Sequence, residues 1–408
     1  MTWLRVLYLA NGAAFGTFSC YVAVILLQHG FDPSLVAFSS SLGSICFWLV
    51  LPAWGHIGDS RLGPRRAIQL AALPAGLLML GLIPPLPVLV LVGVCLAVSC
   101  TNGPINALTD ALAISGLTDP PREYPRLRML GSLGAGIFAL GSGVVYDRTG
   151  YVAAPVAGLA SMLVIAFAAG RVARAPDRAG HKRPTPGASG QSDAAHPEPA
   201  RRHGRFGSVS EALAGRPRLI GLLAGCLGIF IGIMGGATFI TLRLAALGGG
   251  PSTIGFANGV GTSAEVPGML LAGWLATRVG VRPILAVASL GLVATYTSWA
   301  FVTEPQVIAV TKMFAGFFFA GVTVSFVITI ASMLPVGLVS TGQTLYQSVA
   351  FGAAAILANA AGGVIYGVWG IQVVFLFLVA VALVGGIIAV AAAPAQIRVR
   401  LPATDPTH

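Results

Sequence analysis

An all-α membrane fold, with twelve transmembrane helices in two pseudo-symmetric six-helix bundles and both termini in the cytoplasm, is the architecture this sequence predicts. Three observations carry it. The 408 residues are 56% hydrophobic and only 9% charged, whereas a soluble domain spends about 25% of its residues on charge. Apolar runs of about 20 residues, the length that crosses a bilayer core, recur along nearly the whole chain. A segment near the end of the first half returns in the second half at an offset of 220 residues.

The first span, 4–27, opens without a basic leader and a small-residue cleavage site, so a retained helix is expected rather than a cleaved signal peptide. Asp32 and Pro33 start the second, 33–54: Asp can accept from orphan amides, and Pro fits the first turn without losing a hydrogen bond. Spans at 67–83, 88–114, 127–146 and 151–170, bounded by charge, Pro or Gly clusters, complete a first bundle over 1–170. Residues 171–218 are rich in Pro, Gly, Ser and Arg and are expected to form a disordered basic cytoplasmic linker. The second bundle, 219–393, holds spans at 219–243, 253–276, 283–302, 306–333, 341–366 and 371–393. A cytoplasmic tail, 394–408, follows. The 53 glycines and 26 prolines fall largely inside these spans, where packed membrane helices tolerate them.

Lysines and arginines set the orientation, because short loops rich in them stay in the cytoplasm. With the N-terminus inside, 21 of the 24 basic residues lie on the inner side. Arg148 and Arg243 are left outside, where Arg243 can contact a headgroup or guard an entrance, and Lys312 falls within the tenth span. The net charge of +11 is thus topology and attraction to anionic lipid rather than a nucleic-acid footprint. Five cysteines, Cys20, Cys46, Cys95, Cys100 and Cys226, sit in apolar runs without metal-ligand spacing. All six histidines are expected in loops or tails, and no metal site or cofactor is expected. Lys182 and Lys312 are the only lysines, and no phosphate-binding loop exists, so ATP-driven transport by this chain alone is excluded. The energy source must be a gradient.

Two elements repeat. Gly143-Val-Val-Tyr146-Asp-Arg-Thr-Gly150 matches Gly363-Val-Ile-Tyr366-Gly-Val-Trp-Gly370 at four of eight positions, and Gly55 and Gly273 open equivalent loops at an offset of 218. Duplication of one six-helix unit accounts for both.

The loop after the second span reads Gly55-His-Ile-Gly-Asp59-Ser-Arg61-Leu-Gly63-Pro-Arg65-Arg66. An acid at a helix end among arginines can form a charge-assisted network, and breaking it would free two halves to rock. The duplicate, Gly273-Trp-Leu-Ala-Thr277-Arg278-Val-Gly280-Val-Arg282, keeps the glycines and bases but has Thr277 in place of the acid. This loop resembles that of the major facilitator superfamily, although Ser60 is one residue more than the usual spacing and Pro64 replaces a base. Within that superfamily the chain is similar to the lactose permease and phenylpropionate permease group. The segments that carry this are Pro52-Ala-Trp54-Gly55, Tyr124-Pro-Arg126-Leu-Arg128-Met-Leu-Gly131-Ser132, Ala264-Glu265-Val-Pro267 and Gly342-Gln343-Thr-Leu-Tyr346. The resemblance implies a gating role for Gly55, Asp59, Arg61, Gly63, Arg65, Arg66, Arg278 and Arg282.

Ionisable side chains inside a membrane cost roughly 2.5 to 3.5 kcal/mol on insertion scales, so those present usually face a partner or an aqueous path. Asp110 in the fourth span follows Pro104 and Asn106; Arg128 begins the fifth. A carboxylate and a forked guanidinium can together hold hydroxyls, the guanidinium can hold a carboxylate, or the two can be a structural ion pair. The resemblance implies a substrate-binding pair, since an acid and an arginine at this separation hold sugar in lactose permease. Glu265, in the middle of the eighth span, aligns with a substrate-binding glutamate of that protein. It can take up a proton, accept from substrate, or be a structural protonated acid. Lys312 can neutralise Glu265, bind an anionic substrate or snorkel to an interface. Asn106 is the remaining candidate cavity residue.

Departures from the group matter equally. Ala315 precedes Gly316 where the group has His, Phe318 stands where lactose permease has its proton-carrying Glu, and Ala135 replaces the Trp that stacks on galactose. Met234 and Ala237 replace two aspartates. These changes argue against galactoside transport, and any coupled proton must use Glu265 or Asp110. The expected function is secondary active transport of a small organic solute by alternating access, with proton-coupled import implied by the resemblance. Proton-driven efflux of a drug-like metabolite or siderophore is the alternative, and a non-transporting membrane sensor or enzyme is one from another class. Expected partners are a small-molecule substrate, protons and membrane lipid, with no nucleic acid; the chain is expected to act as a monomer in the cytoplasmic (inner) cell membrane.

Overall fold

The computed structural model describes residues 2–59, 62–117, 120–172, 212–335 and 338–394. Most of the expected linker and tail, together with Arg61, therefore lies outside the described residues, as does the side chain of Asp59. Every described helix is α-helical apart from short wider turns, and ten are long and apolar enough to cross a membrane.

In chain order they are α1 (Thr2–Gln28), α2 (Pro33–Asp59), α3 (Gly63–Leu80), α4 (Val88–Asn102, resumed as Pro104–Gly116), α5 (Pro120–Thr149) and α6 (Ala153–Arg171). Beyond residue 211 come α7 (Pro217–Ala246), α8 (Pro251–Arg278), α9 (Val281–Phe301), α10 (Pro305–Met333), α11 (Val339–Gln347, continued through a wide turn to Trp369) and α12 (Ile371–Ala392). The two that miss the apolarity threshold are α3, which carries Arg65, Arg66 and Gln69, and α8, which is diluted by Gly, Ser, Thr and Glu265. Observed helices overrun several expected ends: α2 reaches Asp59 and so takes in His56, which was expected in a loop.

The packing repeats. In the first half α1 lies against α5 and α6, α3 against α4 and α6, and α2 against α4. In the second, α7 lies against α11 and α12, α9 against α10 and α12, and α8 against α10. Each contact in one half has its counterpart in the other at the expected shift of six helices. The main contacts between the halves, α2 with α11 and α5 with α8, also exchange under that shift, which describes a pseudo-twofold.

Glycine conformation ties this symmetry to sequence. Positive φ occurs at Gly30 and Gly248, at Gly63 and Gly280, and at Gly150 and Gly370, three pairs at equivalent places in the repeat. A residue with a Cβ is strained in that region, so the helix ends of both halves require glycine at the same points. The Gly30 and Gly248 pair belongs to a short match of its own, Gly-x-x-Pro-Ser in both halves at an offset of 218.

Inside the bundle, backbone groups freed by irregular turns find side-chain partners, as lipid demands. The wide turn at Phe15–Ser19 in α1 is met by α5: Ser142 donates to the Gly16 carbonyl at 3.0 Å and Tyr146 to the Thr17 carbonyl at 2.8 Å. Two arginines act similarly. Arg65 donates to the Ala169 carbonyl at 3.1 Å and to that of Gly170, fastening the start of α3 to the end of α6.

Arg243 corrects an expectation. It neither reaches toward a headgroup nor guards an entrance; it is buried, and its Nη2 donates to the carbonyls of Ala300 at 3.3 Å and Val302 at 2.8 Å, at the end of α9. A cation there complements the negative end of the helix. Arg243→Ala is expected to lower stability by about 2 kcal/mol by leaving carbonyls without a donor, read as a fall of several degrees in the unfolding midpoint of detergent-purified protein. An unchanged midpoint would contradict the cap.

Candidate functional site

Five helices from both halves bring polar side chains to the middle of the bundle. On α1, Tyr8 and Asn11 lie three residues apart on one face. Tyr8 donates to Asp110 Oδ1 at 2.6 Å, and Asn11 donates to Thr109 at 3.1 Å, so α1 grips the resumed part of α4 at two points. That part begins afresh at Gly103 and Pro104, and proline in its first turn loses no hydrogen bond.

From α5, Arg128 Nη1 donates to Asp110 Oδ2 at 3.1 Å. The carboxylate is thus held on one oxygen by a phenol and on the other by a guanidinium. Arg128 is 55% exposed and Asp110 26%, so the pair faces open space rather than a sealed core. Such an ion pair is screened and can be rearranged cheaply.

One turn along α5, Ser132 donates to Glu265 Oε2 of α8 at 3.3 Å. This joins the two halves directly. Seven residues earlier on α8, and so on the same face, Asn258 accepts from Lys312 Nζ of α10 at 2.5 Å. Glu265 lies within electrostatic reach of both Arg128 and Lys312. Lys312 therefore points inward to an amide instead of snorkelling. Helix α10 reaches α8 closely because Gly316 meets the backbone of Gly261, where a Cβ would collide with the carbonyl.

The structure thus pairs Asp110 with Arg128 and places Glu265 and Lys312 near them. It leaves Asn106 exposed and outside this network. Tyr8, Asn11, Ser132 and Asn258 were missed as site residues, though each carries a signal: polar residues at one-face spacing in otherwise apolar spans. Of the expected gating residues, Arg65 caps α6, Arg278 stacks over Trp274 with its guanidinium 4.3 Å from the ring centroid, and the Asp59 side chain and Arg61 lie outside what is described.

Close contacts between the halves lie at one end of the bundle. Arg65, Arg66, Arg126, Arg278 and Arg282 all sit where α3, α5 and α9 start or α8 ends, which defines a basic end. At the opposite end the halves touch closely: Ser41 donates to the Ile356 carbonyl at 3.0 Å, and Asp147 accepts from the Ser252 amide at 3.1 Å. Gly143 packs against Pro251 and Ser252, and Gly363 against Ser34 and Ala37. Moving toward the basic end, the Ser132 to Glu265 bond is followed by the exposed Arg128 guanidinium. Among the described residues, these close contacts between the halves lie at the end away from the arginines.

Comparison with known proteins gives concordant findings. The profile of the MFS_1 like family matches residues 1–377. The maltose permease of Geobacillus stearothermophilus is 26% identical over 382 residues, covering 93% of this chain and 90% of that protein. Among solved structures, the nucleoside transporter NupG superposes with a TM-score of 0.76 at 12% identity, over 96% of this chain and 98% of that one. A POT family transporter in complex with 5-aminolevulinic acid gives 0.66 at 12% identity, over 96% and 94%. These relatives are transporters rather than enzymes.

Proposed function

This chain belongs to the MFS_1 like family, and from that premise we propose that it carries a small polar organic solute across the cytoplasmic membrane by alternating access. It is a multi-pass membrane protein. In our reading α3 and α8 also cross the bilayer, giving twelve spans, and the basic end is cytoplasmic because inner loops retain arginine. The described state then faces inward.

The observation that carries this reading is the polar cluster contributed by both halves: Tyr8, Asp110, Arg128 and Ser132 from one, Glu265, Asn258 and Lys312 from the other. A site built across two rocking bodies is exposed to one side and then to the other. Hydroxyls of a solute can replace the contacts that Asp110 and Arg128 now make with each other. Coupled uptake of a proton is the favoured mode, with Glu265 as its carrier, and proton-driven efflux is the alternative.

Purified protein in liposomes distinguishes these modes. With an imposed inward proton gradient, accumulation of a solute supports symport and its loss supports exchange; absence of flux across a broad panel of sugars, nucleosides and aromatic acids would end the transport reading. The loop from Gly55 to Arg66 is proposed to latch the basic end when the halves close there. Asp59→Asn is accordingly expected to slow net transport by about tenfold, the loss of one charge-assisted contact, with solute affinity unchanged. A variant altered only in affinity would contradict the latch.

A further inference from the structure

Helix α9 is flanked on its outer surface by two apolar grooves that begin at the same turn. One runs between α9 and α12, has a volume of about 290 Å³ and is lined by Arg282, Ala286, Ser289 and Val293 on one side and Leu383 and Gly386 on the other. From Arg282 to Val293 it extends about 16 Å at 1.5 Å per residue. Small side chains open it: Gly386 sits where a Cβ would come within 3.0 Å of the Ser289 Cβ. The second groove, about 170 Å³, runs along the other side of α9 past Pro283, Val287, Phe317 and Phe318.

The rims are apolar and exposed, with Val287 at 62%, Leu290 at 58% and Ile387 at 62%. On a spanning helix such a surface meets acyl chains. At the mouth stands Arg282, which makes no hydrogen bond or ion pair among the described residues and is joined there by the uncapped N-terminus of α9, a 21-residue helix. No acid lines either groove. Ser289, 4% exposed, lines the larger groove with a hydroxyl that has no partner.

We propose that this face holds an anionic phospholipid from the leaflet at the basic end, its phosphate on Arg282 and an acyl chain in the groove between α9 and α12. The charge at the mouth selects the headgroup. A forked guanidinium and free helix amides complement a phosphate, and neither wall offers an acid to a zwitterionic lipid's ammonium. Ser289 supplies a donor below the phosphate for a glycerol ester carbonyl. The second groove lies where the other chain can descend on the far side of α9.

Native mass spectrometry of the full chain released from nanodiscs with equal phosphatidylglycerol and phosphatidylcholine tests this, independently of whether any solute is transported. Wild type is expected to retain phosphatidylglycerol over phosphatidylcholine by about five- to tenfold, the order expected from one arginine at the surface. Arg282→Gln should bring the ratio near unity, and Arg282→Lys should keep most of it. Ala286→Phe, which fills the groove, should reduce retained phosphatidylglycerol by a similar factor in protein that still elutes as a single species. Equal retention of the two lipids by wild type, an unchanged ratio in Arg282→Gln, or undiminished retention in Ala286→Phe would overturn the proposal.

Discussion

Arg128→Gln is expected to lower solute flux into liposomes about 30- to 150-fold while leaving insertion and folding intact, since losing a charge-assisted contact to a bound solute costs about 2 to 3 kcal/mol. Arg128 is 55% exposed, so its bond to Asp110 adds little to stability and its charge is available to a ligand. Asp110→Asn should behave alike, because Tyr8 and Arg128 both address its carboxylate. The two readings left open by the sequence are separated by the double variant Asp110→Asn with Arg128→Gln. If the pair were only structural, neutralising both members would remove the unpaired charge and restore flux. On our account the double variant folds well and transports no better than either single one.

Glu265→Gln is expected to abolish concentrative uptake while solute exchange across the membrane continues. The amide keeps an acceptor for Ser132, so the junction between α5 and α8 survives. What it lacks is a carboxyl that can take up and release a proton. Accumulation driven by an inward proton gradient should therefore fall to equality of the inner and outer solute, whereas exchange of labelled for unlabelled solute should stay within a few-fold of wild type. Retained accumulation would remove Glu265 from the coupling role and leave Asp110 as the remaining carboxylate of the cluster.

Much of the fold was legible because lipid imposes one rule throughout: long apolar runs must become helices whose backbone groups are satisfied internally. The runs at 371–393 and 219–243 need no further information. The runs at 67–83 and 253–276 are also read as spans, but α3 and α8 carry polar residues that face neighbouring helices, as Gln69 faces α6 and Asn258 faces α10, and they are the least apolar of the twelve helices. The repeat could be read from Gly150 and Gly370, yet the reason for those glycines, a positive φ at matching helix ends, appears only in three dimensions.

The site divides similarly. Asp110, Arg128, Glu265 and Lys312 announce themselves because charge inside a membrane is costly. Tyr8 and Asn258 do not. Their signal is weaker, a neutral polar side chain on one face of an apolar span, and their partners lie 102 and 54 residues away. Arg243 was misread for a related reason. A basic residue near a helix end usually reaches for headgroups, but here the carbonyls ending α9 lie closer, and burial follows from satisfying them.

Alternating exposure of the polar cluster is most directly tested by two spin-label distances in lipid nanodiscs, one across the basic end between α4 and α10 and one across the opposite end between Arg148 and Gly250. The described state joins the halves at the opposite end through Asp147 and Ser252, and on our proposal the basic end is the open one. Two populations are expected in which one distance shortens as the other lengthens, with their balance shifted by a transported solute. Distances that stay fixed, or that lengthen together, would contradict alternating exposure.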